Sequence, residues 1–263
     1  MKQKSENKNS RKRVSKWVYR ILMLIAACVF AYSAFQLGSI YYANYREKQE
    51  TEELKGSIKT VEKNGQEELR SVDFEKLREI NPDVIAWIMI PDTDISYAVV
   101  QGTDNDYYLS HTVAKESNYA GAIFLDANAS ADFSDMNSFI YGHSTKHGTM
   151  FTNLEMFRDQ AFADAHRYVY LFTPDKQYRC PIYSMYSTSY DSDSYLLGNT
   201  NSATQGAYLE MVKGLSLFDY GVEASAQDRL ITLSTCSYED GVANERRYLL
   251  HAILEEWSGV DER

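Results

Sequence analysis

The sequence predicts a mainly β protein, a barrel or a sandwich, carried on an amino-terminal membrane helix. Three observations lead there. After residue 80 the chain is a series of short runs rich in Ile, Val, Tyr and Phe, broken by Gly, Pro, Asp and Asn turn signals. Residues 21–45, "ILMLIAACVFAYSAFQLGSIYYANY", hold no charged side chain, and about 20 apolar residues suffice to cross a bilayer as a helix. The charge is also unevenly distributed. Residues 1–20 carry eight Lys or Arg against one Glu, or +7, which leaves −17 for the rest of a chain whose total is −10.

Taken in order, residues 1–20 read as a basic cytoplasmic segment and 21–45 as a transmembrane helix. Trp17 and Tyr19 flank one end and Tyr41, Tyr42 and Tyr45 the other, in the manner of an interfacial aromatic belt. The basic flank precedes the span, which places the amino terminus inside and the acidic body outside. The span is long for a signal-peptide core, and no small-residue cleavage site closes it. Residues 46–70 are polar and charged, with little apolar periodicity, and read as a stalk, helical in part. The body is expected over 71–263. It opens with a short helix capped by Asp73, with Phe74, Leu77 and Ile80 on one face and Pro82 as a stop. Strand-like runs follow: "VIAWIMI", "ISYAVVQG", "AGAIFLD", "SFIYGH", two runs around the turn Thr173-Pro174-Asp175-Lys176, "RLITLSTC" and "RYLLHAILEEW". One helix interrupts them. "SATQGAYLEMVKG" begins with a Ser202-x-x-Gln205 capping box and ends at Gly214, with Tyr208, Met211, Val212 and Leu215 expected to face the core.

The acidic body argues against nucleic-acid binding, so the 21 tyrosines read as strand-face packing and not as a base-stacking surface. No metal site is expected. "DSDSY" and "DANASAD" contain carboxylates without the spacing of a calcium loop. Of three cysteines, Cys28 lies in the span. Cys180 and Cys236 could pair as a disulfide, although a small disulfide-stapled domain would carry more cysteines.

Cys236 is the stronger candidate nucleophile. It ends the run "ITLSTC", where a rigid strand would present it at a rim, whereas Cys180 sits inside "YRCPIY". A thiolate needs a basic partner and an oxyanion donor. His143 ends "SFIYGH" and enters a loop that also holds His147, its nearest rival. His111 and His166 lie in polar contexts, and His251 lies within the last strand. Arg246 and Arg247 open that strand. A guanidinium can donate to a developing oxyanion, and strand alternation sends the two side chains to opposite faces.

These residues together resemble a known pattern. "TLSTC", an arginine opening the last strand and "YGH" upstream resemble the sortase signature. "NPDVIAWIMIPDTDISYAVVQGTDNDYYLSH", "AGAIFLD", "NSFIYGHSTKHGTMF" and "VYLFTPDKQYRCPIYSMY" are similar to the class B sortases from about residue 73 onward. The resemblance implies a closed eight-stranded barrel with amino-terminal helices and an extra helix before the "TLSTC" strand. It implies a membrane-anchored extracellular cysteine transpeptidase that needs no cofactor. Its partners would be secreted proteins bearing an Asn-Pro-x-Thr-x type of sorting motif and an amine of a peptidoglycan precursor. It carries the nucleophile onto Cys236, the acid/base onto His143 and the oxyanion donor onto Arg247, with Arg246 the alternative. It carries substrate contacts onto Ser234, Asn105 and Leu109. After the cysteine the chain departs from many relatives, with Ser237 and Tyr238 before Glu239.

Two other classes compete. A membrane-tethered cysteine protease would use the same residues with water as acceptor, and a non-catalytic ectodomain would leave Cys236 inert. Within the family, a pilus-polymerising sortase would use the same residues with a different amine.

Overall fold

The structure is a computed structural model that describes residues 11–63, 66–145, 148–195, 202–237 and 245–258. Two compact units divide the chain at Arg46/Glu47. The first holds most of helix α1 (Arg11–Lys55), whose large apolar side chains from Trp17 to Tyr45 are exposed. That helix is long and apolar enough to cross a membrane.

The second unit begins with the last turns of α1 and a hairpin, β1 (Ile58–Lys63) and β2 (Gln66–Val72), in the stretch read as a stalk. This stretch packs on the body. Leu54 is buried with Leu77, Val84 and Trp87, and Ile58 and Val72 lie against the same cluster. Glu50 accepts a hydrogen bond from the Ala114 amide at 2.8 Å. The sparse apolar spacing concealed this, because a few residues suffice to dock a polar hairpin. Helix α2 (Phe74–Ile80) starts where expected, with Asp73 accepting from the Lys76 amide. Only Leu77 of its predicted face is fully buried; Ile80 is exposed.

Eight strands close into a barrel: β3 (Val84–Met89), β4 (Ser96–Val100), β5 (Ile123–Leu125), β6 (Asn137–Tyr141), β7 (Tyr168–Phe172), β8 (Gln177–Ser189), β9 (Leu230–Cys236) and β10 (Arg246–Ile253). Their order around the wall is β10-β8-β7-β3-β4-β5-β6-β9. The β4/β5 and β6/β9 pairs are parallel and the rest antiparallel. Alternation fills the interior with Ile88, Val99, Ile140, Val169, Ile182, Ile231, Leu233 and Leu250. Closure removes the unpaired edges that an open sheet would present.

Helix α3 (Gln160–Ala165) is capped by Asp159 and precedes β7. Helix α4 (Ser202–Leu215) covers the outside of β8, β9 and β10, placing Tyr208, Leu209 and Val212 against Tyr183, Tyr186, Leu230, Leu249 and Ile253. Two expectations for α4 fail. Leu215 is exposed at the helix end while Leu209 is buried, because the buried stripe is centred one turn earlier. Gln205 does not cap. Its buried amide donates to the carbonyls of Met136 and Asp228, tying the helix to the loops before β6 and β9.

Candidate active site

The pairing of three neighbouring strands assembles the site. In the antiparallel β9/β10 ladder Cys236 is the direct partner of Arg247, and directly opposed residues share a face. In the parallel β6/β9 ladder Tyr141 pairs with Ser234, and the Gly142 amide donates to the Ser234 carbonyl at 3.1 Å. Cys236 and Arg247 thus pair across β9 and β10, and continuing the β6/β9 register two residues past the end of β6 puts His143 in line with them. Leu230, Leu249 and Ile253 of these strands lie under α4, and Ile231, Leu233 and Leu250 lie inside. By alternation the row is on the outer wall.

Gly142 gives β6 its close approach. A Cβ there would fall within 2.8 Å of Phe151 Cδ2 and nearer still to the Ile123 side chain. The loop after His143 is knitted by its own threonines. Thr145 and Thr149 hydroxyls lie 2.9 Å apart, Thr152 Oγ1 donates to the Thr149 carbonyl at 2.6 Å, and the Phe151 amide donates to the His143 carbonyl at 2.9 Å. The imidazole is oriented by Leu109, whose carbonyl lies 2.8 Å from Nε2. A carbonyl only accepts, so Nε2 carries a proton and donates. His147 lies outside the described residues, as do Tyr238 and Glu239.

The two arginines part as alternation requires. Arg247 stays on the Cys236 face, donates to the Arg246 carbonyl at 3.0 Å and stands over the Tyr190 ring at 6.0 Å. Arg246 turns away and binds Ser187, through Nε to Oγ at 3.0 Å and Nη2 to the carbonyl at 2.9 Å. Cys236 is half-buried and Cys180 fully buried, and both are free thiols. Cys180 belongs to the barrel interior, where burial pushes its thiol far above the ordinary range. The alternative of a Cys180–Cys236 disulfide is therefore excluded.

Of the three expected substrate contacts, Ser234 lies on the outer wall two residues before Cys236 and meets Tyr195, Oγ to Oη at 2.7 Å. Leu109 is exposed beside His143. The Asn105 amide is engaged within the wall's own loop, donating to Asp126 at 2.8 Å while its oxygen accepts from the Ala127 amide at 2.8 Å. Asp126 also accepts from Tyr141 at 3.1 Å, and burial together with this carboxylate pushes the Tyr141 hydroxyl up.

Tyr195 is the residue that sequence reasoning missed. It ends a 3-10 turn, Asp193–Tyr195, in the connection between β8 and α4. Its ring stacks on Phe139 at 5.3 Å. Burial, the largest influence, pushes its hydroxyl up to about 12; the Ser234 bond and Arg247 act against this, and Cys236 adds to it. It therefore stays a neutral donor and acceptor beside the row. No periodicity marks it, because a single turn between elements has none.

Comparison with known proteins agrees with this architecture. Residues 88–255 match the Sortase domain model. The chain is 33% identical over 235 residues to Sortase B of Listeria monocytogenes, covering 86% of this chain and 93% of the relative. It is 29% identical to Sortase B of Staphylococcus aureus over 220 residues, 83% and 88% of the two chains. Among solved structures, sortase B of Bacillus anthracis superposes with a TM-score of 0.71 at 29% identity, over 83% of this chain and all of that one. A Staphylococcus aureus sortase B–substrate complex gives 0.66 at 28% identity, over 70% and 85%. A closed barrel of this topology with these matches defines a sortase, and the chain belongs to that family. Within it, the chain is of the sortase B class, the cysteine transpeptidases.

Proposed function

We propose that this chain anchors secreted proteins to the cell wall, with Cys236 as nucleophile, His143 as acid and base, and Arg247 as oxyanion donor. The observation that supports the assignment is the Cys236–Arg247 pair on the outer wall, with His143 two residues past the end of the neighbouring strand β6. The Cys236 thiolate adds to a backbone carbonyl of a sorting motif, and negative charge gathers on the oxygen beside Arg247. The C–N bond breaks as His143 gives a proton to the leaving amine, and a thioester remains on Cys236. An acceptor amine then attacks the thioester, His143 takes the amine's proton, and the thiolate leaves. Because Nε2 is committed to Leu109, Nδ1 is the nitrogen left to exchange the proton.

The Staphylococcus aureus relative was solved with a substrate. By that likeness the donor here is a protein carrying an Asn-Pro-x-Thr-x type of motif, held along Ser234, Leu109 and Asn105. The acceptor is a peptidoglycan amine. The basic residues 1–20 ahead of the apolar part of α1 support an orientation with that segment inside and the catalytic body, 71–263, outside, 46–70 leading from the membrane onto the body. Mass spectrometry of the protein incubated with a sorting-motif peptide tests the assignment. It should show a thioacyl adduct on Cys236 that is discharged by an added amine. An adduct elsewhere, or discharge by water alone in the presence of the amine, would overturn it in favour of another nucleophile or a protease.

A further inference from the structure

Beneath α4 lies a closed circuit of hydrogen bonds that the reaction itself does not use. Thr232 donates to Asn137 Oδ1 at 2.7 Å, and its hydroxyl lies 2.8 Å from His251 Nδ1. His251 Nε2 lies 3.0 Å from the Tyr186 hydroxyl, which lies 3.0 Å from Ser194 Oγ. The Ser194 carbonyl accepts from Tyr208 at 2.8 Å, and Tyr208 accepts from Asn137 Nδ2 at 2.9 Å, which closes the ring. The six residues come from β6, β9, β10, β8, the 3-10 turn and α4. All are buried, at 0–4% exposure.

A buried ring of this kind is expensive to assemble and costly to leave half-made. An apolar cluster would hold α4 on the wall without it. What the ring adds is direction. It grips one residue of the turn, Ser194, by both its side chain and its carbonyl. The next residue is Tyr195, which reaches Ser234 beside Cys236.

We propose that His251 and Tyr186 are positioning residues, which act through Ser194 to set Tyr195 over the outer wall and so fix the width of the substrate groove beside Cys236. The proposal rests on the sorting function argued above only for the identity of what fills the groove. The circuit touches none of the reacting row, so it should govern binding of the donor peptide and leave the chemical step alone.

The test uses Tyr186→Phe and Ser194→Ala, each removing one hydroxyl. The control is Ser184→Ala, which removes a buried hydroxyl of β8 that has no hydrogen-bond partner among the described residues. The net loss of one buried hydrogen bond corresponds to about five- to tenfold in an equilibrium. Both test variants should raise KM for a sorting peptide about five- to tenfold with kcat within about twofold, while the control changes neither. Their backbone amides at 192–195 should exchange hydrogen about five- to tenfold faster than in the control. KM and exchange matching the control would overturn the proposal. So would a parallel fall in kcat, since a merely structural defect lowers the active fraction. The exchange measurement needs no substrate. If the wild-type protein cleaved no sorting peptide, the sorting function would fail while exchange still decided the role of the circuit.

Discussion

His251 shows what burial does to a single titratable side chain. Removed from water, it is pulled down to about 3 from an ordinary value near 6.5. The unfolded chain therefore binds a proton between those values that the folded protein refuses, and stability must fall as pH drops through that window. The loss should reach about 2 kcal/mol on going from pH 7 to pH 5. Denaturant melts across pH should show this slope, and His251→Asn should flatten it. NMR titration of the wild-type imidazole should show it still neutral at pH 5; a proton gained near pH 6 would contradict the account. The arginine pair supplies a second residue-scale expectation. Arg247→Ala should lower kcat by about 10²–10³, as the loss of one oxyanion donor does. Lysine at 247 should rescue poorly, because it replaces a planar fork with a point charge. Arg246 holds Ser187 and not the row, so Arg246→Ala should change kcat only about threefold. Steady-state cleavage by the three variants measures both, and the reverse ranking would mean that the register of β10 is misread.

At the scale of elements, the last turns of α1 and the β1/β2 hairpin belong to the fold. Leu54 is buried, Glu50 binds the Ala114 amide, and the Asp73 amide donates to the Ser57 carbonyl at 2.9 Å. A protein beginning at Asp73 loses all three contacts, whereas one beginning at Glu47 keeps them. Burying one leucine and making two hydrogen bonds contributes roughly 3 kcal/mol. The shorter protein should therefore melt about 6–12 °C lower while keeping its chemistry; equal melting temperatures would show that the hairpin adds nothing. The same elements mark where the sequence could be read. Runs such as "VIAWIM" and "RLITLSTC" announced their strands, and Asp73 announced its helix, because those signals are local. The stalk hid its docking residues, since two or three apolar positions make no period. The site was legible in its parts, with Cys236 at a strand end and His143 at another. Their alignment in one row depends on a parallel pairing between segments some ninety residues apart, and no local pattern encodes that. The resemblance to a family supplied it. Tyr195 stayed hidden even so, as did the use of the Leu109 carbonyl to orient His143.

Viewed as a whole, the molecule keeps two compartments apart. Packing occupies the barrel interior, and the proposed reacting residues Cys236 and Arg247 lie on its outer wall. The two body cysteines fall on opposite sides of that division. Alkylating reagents at pH 8 should modify Cys236 in the native protein and reach Cys180 only on unfolding, because burial holds that thiol protonated as well as covered. Peptide mapping of the modified protein checks this, and equal labelling of both would refute it. The same wall determines how the enzyme ages in an oxidising medium. Peroxide meeting Cys236 yields a sulfenic acid, which another thiol normally rescues by condensing with it. The only other sulfhydryl of the body, Cys180, is sealed in the interior, so it cannot reach the oxidised Cys236. Its recovery depends on a small thiol supplied from its surroundings, and in its absence each further oxidant advances Cys236 toward the irreversible sulfinic state.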